Sequence, residues 1–401
     1  MDINSSTTPL PIFISLERSI IYSSVVSFYA IESNSVFNLS YGSIGIVMFV
    51  IISSGAAFQL VGGKSSDAIG RRAAAIIGQI VQSIGLVLMG NSFIFHDLFD
   101  SILGFFLINI GGNLVQSSIN AIGPDLSENT SFRVSYFAKI RTAINSGFGF
   151  GPLIIGILLT RMSYGFFTEL LGLVSTVSMI FFYKIRGKPL EKISTKLIVE
   201  NHRKFPPTQW PLIKISISAL LLSLLFGQLT SSIPVYEQIV NNLSVSQIGI
   251  LIGANGFMIV LIQFPISRLV KNIFNWKWMT TGAAIYSVSI ILLSLANLFS
   301  SVLIIIIILT LGEAIFWGTA QALVSYLSDR ASFGRDLGIF SFSITLGRGI
   351  GAEYGLYLFS LLIAYHTIFW SLIAIPGLIS TLLFSIFVYR IGKLYIAQKV
   401  S

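Results

Sequence analysis

The sequence predicts an all-α membrane protein: twelve transmembrane helices in two pseudo-symmetric six-helix bundles. Three observations predict it. Of 401 residues, 54% are hydrophobic and 10% charged, with a mean hydropathy of +0.84, against roughly 45–50% and 25% in a soluble domain. Apolar runs such as Ser301 to Leu311 recur along the chain, as repeated crossings of a ~30 Å hydrocarbon core require at about 20 residues each. The two halves also repeat one another at a shift of 204 residues, from Leu39 to Leu243 onward.

Hydropathy with turn punctuation places the first six spans at 9–33, 42–62, 73–91, 97–123, 135–160 and 164–185. The second six are placed at 211–237, 244–268, 277–297, 300–327, 334–360 and 364–390. Before span 1 the stretch Met1 to Pro9 is polar and carries no Lys or Arg. It lacks the basic region of a cleavable signal, so span 1 is expected to stay in the membrane. Loop 2–3 carries Lys64, Arg71 and Arg72, and loop 4–5 carries Arg133 and Lys139. Spans 6 and 7 are separated by a long polar segment, Arg186 to Trp210, with Lys188, Lys192, Lys196, Arg203, Lys204 and Pro206-Pro207. The expected domains are therefore an N-terminal bundle at 1–185, a cytoplasmic linker at 186–210 and a C-terminal bundle at 211–401. Loop 8–9 adds Arg268, Lys271 and Lys277, loop 10–11 adds Arg330 and Arg335, and the tail adds Arg390, Lys393 and Lys399. Counting Lys184, Arg186 and Lys214 with the central segment, 21 of the 25 Lys and Arg fall on one side. Positive residues gather on the cytoplasmic side, so both termini are expected there, in a multi-pass protein of the cell membrane.

The repeat is a run of identities. Leu39-Ser40 and Ile44-Gly45 recur as Leu243-Ser244 and Ile248-Gly249. Gln59 then matches Gln263, Gly78 matches Gly282, Asp125 matches Asp329, and Gly147 and Gly151 meet Gly351 and Gly355. Duplicated bundles place a substrate site at their interface near the bilayer midplane, with one unit rocking against the other.

Several chemistries are excluded. Without cysteine there is no disulfide, thiolate metal site, iron–sulfur cluster or Cys nucleophile. His96, His202 and His366 are far apart and suggest neither a metal site nor a triad. No Walker A sequence is present, and the Gly-x-Gly-x-Gly runs at Gly147 and Gly347 lie within spans with no strand before them. No enzyme, cofactor or metal is expected. The net charge of +9 records membrane orientation, since a nucleic-acid binder shows its basic patch on a polar domain. Asn38-Leu-Ser and Asn242-Leu-Ser read as glycosylation sequons.

Between spans 2 and 3 stands Gly63-Lys-Ser-Ser-Asp67-Ala-Ile-Gly70-Arg71-Arg72. Its glycines permit a tight turn and close helix approach, and Asp67 beside Arg71 can meet a helix N-terminus. This resembles the loop 2–3 signature of the major facilitator superfamily, departing from it at Ser65 and Ala68; its second-half counterpart, Ser267-Arg268-Leu-Val-Lys271, lacks the acid. The resemblance implies the major facilitator fold, with Asp67 latching against the start of span 11 and Arg71 pairing with Asp125. A solvated loop that sets orientation is the alternative. In span 5, Gly147-Phe-Gly149-Phe-Gly151-Pro152 with Gly156 partly resembles the glycine–proline motif of proton-coupled drug antiporters. It lacks the second paired glycine after the proline and the earlier upstream glycine. Span 4, Phe106-Leu-Ile-Asn109-Ile-Gly111-Gly112, lacks the arginine such antiporters carry.

Ionisable residues within spans cost several kcal/mol on insertion scales, so each is a candidate for function. Here they are Glu17 and Arg18 in span 1, Arg141 in span 5, Glu313 in span 10, and Arg348 and Glu353 in span 11, with Glu32 and Glu169 nearer the outer surface. Asn109, Asn113, Gln116 and Asn120 share one face of span 4, and Glu313, Trp317 and Gln321 share one face of span 10. The 204-residue shift sets Asn109 opposite Glu313. By the family resemblance both faces would line a central cavity; the alternative is hydrogen bonding between helices, about 0.6 kcal/mol per contact. Burial favours the neutral acid at Glu313 and an adjacent Arg348 favours the carboxylate, so the pair could exchange a proton for an ion pair. A permanent pairing of Arg348 with Glu313 or Glu353 is the structural alternative. Arg141 and Arg348 could instead bind an anionic substrate, and Glu17 beside Arg18 could compensate each other at the membrane entrance. In span 7, Gln228 is a cavity candidate, and Pro234 marks a break.

The function these features favour is secondary transport by alternating access, as proton-coupled export of an amphiphilic or organic small molecule. Uptake or facilitated diffusion of a small polar solute, a sugar or organic anion, is the alternative, and a receptor or scaffold that transports nothing is a remote one. The expected partners are a small-molecule substrate, protons or another coupling ion, and the lipid bilayer, with no nucleic acid and a monomeric state.

Overall fold

A computed structural model describes residues 9–126, 130–182, 210–269, 276–327 and 333–400. Thirteen α-helices account for the twelve spans among these residues. The first half comprises α1 (Pro9–Phe37), α2 (Tyr41–Ile69), α3 (Arg71–Phe95), α4 (Leu98–Leu126), α5 (Thr130–Leu158) and α6 (Tyr164–Phe182). The second comprises α7 (Trp210–Gly227), α8 (Ser232–Ile239), α9 (Val245–Leu269), α10 (Trp276–Leu292), α11 (Phe299–Leu327), α12 (Phe333–Leu362) and α13 (His366–Val400). The expected linker, 186–210, lies outside the described residues except for Trp210.

Span 7 is two helices. The break falls at the 3₁₀ turn Gln228–Thr230 and at Ser231, ahead of the expected site. Pro234 sits instead in the first turn of α8, where a missing N–H costs no intrahelical bond. Among the described residues, ten helices are long and apolar enough to cross a bilayer by length and composition; α5 and α12, which complete the twelve, are not among them. Those two carry the arginines and amides described below, so their low hydropathy reflects the site.

The expected loop 2–3 is shorter than its sequence suggests. Helix α2 runs through Gly63 and Asp67 to Ile69, and the turn into α3 is Gly70 alone, at φ 92° and ψ 146°. This region is close to one open only to glycine. Gly70→Ala meets nothing within 4 Å, so strain alone is expected to cost about 1–3 kcal/mol, read as a lower unfolding midpoint with unchanged secondary structure.

The internal repeat has a structural basis. Asn38 and Asn242 both adopt the left-handed conformation, at φ 55° and 54°, and the serine two residues later receives a backbone N–H in each case, from Ser43 at 3.2 Å and Gln247 at 3.3 Å. Asparagine tolerates that backbone and serine caps a helix, which explains the recurring Asn-Leu-Ser without a sugar. The register, however, drifts. Gly147 lies on Leu16 and Ser19, while Gly347 lies on Leu220 and Ser223; Gly151 and Gly351 likewise lie on Ile20 and Leu224. Thus α5 and α12 pair at a shift of 200, one helical turn from the match read in sequence. In α4 and α11 the shift is 201: Gly111 packs on Gly78 and Gly312 on Gly282. Glu313 is therefore the counterpart of Gly112, and Thr310 is that of Asn109.

Each bundle is built on close glycine contacts, α3 with α4 and α6, and α10 with α11 and α13. Two seams join the bundles, α2 against α12 and α5 against α9. Both close toward the side away from the termini. There Tyr41 meets Phe359 edge-on at 5.2 Å, and Ser246 donates to the Gly156 carbonyl at 2.9 Å.

Candidate functional site

On the termini side of those contacts the seam opens into a cavity of about 220 Å³ between α5, α9, α11 and α12. Arg141 and Asn145 line it from α5; Ser341, Ile344, Thr345 and Arg348 from α12; Ile259 and Gln263 from α9; Glu313, Ala314 and Trp317 from α11. At the shift of 200, Arg141 and Asn145 stand where Ser341 and Thr345 stand in the other half, so one repeated helix face supplies both walls. A larger groove of about 450 Å³ between α1 and α5 has Ile12, Leu16, Lys139 and Ala143 in its wall. It is mainly apolar and gathers no opposing charges, so the smaller cavity is the candidate site. Among the described residues no cluster of His, Asp or Glu could hold a metal.

Glu313 is 7% exposed. Its carboxylate accepts from the Asn255 amide at 2.8 Å, and the same amide donates to the Thr310 hydroxyl at 3.0 Å. Arg141 and Arg348 lie within electrostatic reach of it, as does Tyr286 from α10. The carboxylate thus faces one arginine from each bundle. Arg348 Nε is buried with no hydrogen-bond partner among the described residues. Trp317 is fixed by ring contacts to Phe226 at 5.2 Å and Phe316 at 5.3 Å, giving the cavity one aromatic wall.

Arg18 reaches the same region from α1. Its Nε donates to Gln116 Oε1 at 3.1 Å, and Gln116 donates to Asn120 at 2.9 Å. Tyr22, one turn on, lies within electrostatic reach of both Arg18 and Arg348. The Cβ space missing at Gly112 is taken up by the Arg18 guanidinium, 3.2 Å away. Where the second half has the Glu313 carboxylate, the first has an arginine.

Other residues singled out in sequence lie elsewhere. Glu17 stays within electrostatic reach of Arg18 but points about 100° away from it around the helix. It accepts from Gln79 at 3.2 Å and Ser178 at 3.0 Å, inside the packing of α1, α3 and α6. Asn109 donates to the Ile51 carbonyl at 3.0 Å, and Asn113 donates back to Asn109 at 2.6 Å, so this half of the amide stripe binds α4 to α2. Gln228 donates to the carbonyls of Leu224 and Gly351 at 2.8 and 2.7 Å, holding α7 on α12. Glu353 has its backbone against Gly45 of α2 and is not in the cavity wall. The side chains of Gln321, Asp67 and Asp125 lie outside the described residues, while Arg71 donates to Ser66 at 3.1 Å and Arg72 opens the first turn of α3. The α5 motif divides its work: Gly147 and Gly151 pack on α1, and Gly149, Pro152 and Gly156 pack on α9 across the seam.

Asn255, Asn145, Thr345, Gln263 and Tyr286 were not legible as site residues. None of them carries a charge, and only the packing of α9 against α5 and α11, with α10 and α12 also against α11, brings them together.

Residues 10–352 and 239–394 match the family model described as the Major Facilitator Superfamily. An uncharacterised MFS-type transporter of Bacillus subtilis, YttB, is 26% identical over 323 residues, covering 78% of each chain. Among solved structures, the POT family transporter PepTSo superposes with a TM-score of 0.78 at 14% identity, over 97% of this chain and 98% of that one. A bacterial homologue of the lysosomal transporter Spinster, solved inward-facing and unoccupied, gives 0.76 at 13% identity, over 99% and 98%.

Proposed function

The chain belongs to the Major Facilitator Superfamily, and from that premise we propose that it couples solute movement to protonation of Glu313. It is a multi-pass membrane transporter and not an enzyme. In the proposal the bundles 1–185 and 211–401 rock about the seam, with 186–210 as a linker on the cytoplasmic side, in the cell membrane, as a monomer. Protons are the coupling ion, and the cavity between α5, α9, α11 and α12 takes a small organic solute. Asp67, Arg71, Arg72 and Asp125 act as the gate on the termini side.

The observation that carries this reading is the placement of one buried carboxylate between an arginine of each bundle. Charging and neutralising Glu313 alters its attraction to Arg141 across the seam, and with it the relative energy of the two bundle arrangements. Export follows if proton and solute compete for Glu313, and the likeness of α5 to antiporters supports that reading. Uptake follows if they bind together, and the arginines of the cavity favour this second reading.

Glu313→Gln in proteoliposomes is expected to abolish solute-driven collapse of an imposed pH gradient, while solute exchange without a gradient continues. A variant that still moves protons with its solute removes Glu313 from the coupling role.

A further inference from the structure

We propose that the cavity binds an organic monocarboxylate with an apolar or aromatic body, and that this anion travels together with a proton as an electroneutral pair. The inference deepens the reading above and rests on it for the identity of the transport site.

The argument begins with charge. Arg141 and Arg348 line the cavity against one carboxylate, Glu313, and guanidinium groups keep their proton in proteins. The described lining residues thus carry one net positive charge when Glu313 is ionised and two when it is neutral. Arg18, the third cation of this region, is engaged by Gln116, and Glu17 lies behind it on the other face of α1. Positive charge inside a membrane protein is costly unless an anion answers it. Arg348 Nε, buried without a hydrogen-bond partner, is a donor for which the described residues supply no acceptor. A carboxylate matches a guanidinium in shape and charge, with two parallel hydrogen bonds. Trp317 from α11 and Ile344 from α12 in the lining suit an apolar body rather than a sugar.

The same geometry sets the sign of coupling. The groups facing Glu313 are Arg141 from α5, Arg348 from α12 and Tyr286 from α10, with the Asn255 amide from α9. Ionised Glu313 competes with an incoming carboxylate for the two arginines. Protonating it removes that competitor, so proton and anion each favour the binding of the other, and the linkage is reciprocal. One proton and one monoanion entering together leave the charge of the lining as it was. An amine would do the reverse, competing with the proton, which is the arrangement of an antiporter.

The test is thermal unfolding of the purified full chain in detergent, at pH 5.5 and 7.5. The probes are lactate, benzoate, indole-3-acetate and 4-aminohippurate, each beside its neutral amide, with benzylamine as the cationic probe. At least one carboxylate is expected to raise the unfolding midpoint in a saturable way while its amide does not. Its affinity should strengthen toward low pH, by up to about tenfold per pH unit for one linked proton. Arg348→Gln should remove this response, and Arg348→Lys, which keeps charge but loses the fork, should weaken it. Glu313→Gln should bind the carboxylate equally well at both pH values. Stabilisation by benzylamine alone, or by none of the carboxylates, overturns the proposal. Carboxylate binding that depends on Arg348 but ignores pH in the wild type supports the anion assignment and overturns the coupling role of Glu313.

Discussion

Gly256→Leu is expected to cut the transport rate at least tenfold while the protein still folds and binds its solute. A Cβ at position 256 would stand 2.7 Å from Gly149 Cα and from the carbonyl carbon of Phe148. Both are backbone, which cannot yield as a side-chain tip does. Leucine would therefore hold α9 away from α5 just where the seam closes on the side opposite the termini. Within the second bundle α9 packs against α11, so the cost falls on one arrangement of the bundles rather than on the bundle itself. A penalty of about 3 kcal/mol, the upper part of the range for overpacking, shifts a two-state equilibrium roughly a hundredfold. Because the chain has no cysteine, a single cysteine introduced at Asn145 would report the change through thiol labelling. Labelling from the side away from the termini should rise, and labelling from the termini side should fall. Unchanged rates and labelling would show that this seam need not close during turnover.

Much of the fold was legible because lipid imposes a simple pattern on sequence. The twelve apolar segments and the repeated Asn-Leu-Ser turns both survive into the structure as helices and caps. The lengths did not: α2 continues seven residues past its predicted end at residue 62, to Ile69, because a helix need not stop where the hydrocarbon does. The match of Gly147 to Gly351 in sequence was one helical turn away from the pairing in space, since identities alone cannot place a gap between spans. A separate slip of three residues between α4 and α11 carried Asn109 onto Glu313 and suggested two equivalent stripes in the cavity. In space Asn109 serves α2, and Thr310 is the equivalent residue.

For the site, charge was the readable part. Glu313, Arg141, Arg348 and Trp317 stand out in sequence and line one cavity. Glu17, Glu353 and Gln228 stand out equally and do not. The difference is direction around the helix axis: 100° separates Glu17 from Arg18, and only helix packing decides which face looks inward. Asn255 shows the converse, a lone amide in an apolar helix that gains meaning only from Thr310 and Glu313 on the neighbouring one.

Gly111→Leu tests the opposite property, the permanence of packing inside a bundle. Gly111 lies against the Gly78 carbonyl, and a Cβ there would stand 2.5 Å from the Gln82 amide nitrogen of α3. The two helices touch backbone to backbone, a contact that small residues allow and that drives association where lipid is the solvent. Leucine would force α4 off α3 along their closest approach and, through α3, disturb α6 as well. The expected cost is about 3 kcal/mol or more, a large share of the 5–15 kcal/mol that separates folded from unfolded protein. The measurement is the yield of monodisperse protein by size-exclusion chromatography and its unfolding midpoint, both of which should fall sharply. Gly312→Leu should act alike in the other bundle, where a Cβ on Gly312 would stand 2.8 Å from the Gly282 carbonyl oxygen. Alternating access requires this division. Glycine contacts within a bundle must hold through the whole cycle, so filling them costs stability. Glycine contacts across the seam must form and break, so filling them costs rate. If Gly111→Leu instead kept its stability and lost only turnover, the contact between α3 and α4 would belong to the moving parts, and the bundles would not be the rigid units of transport.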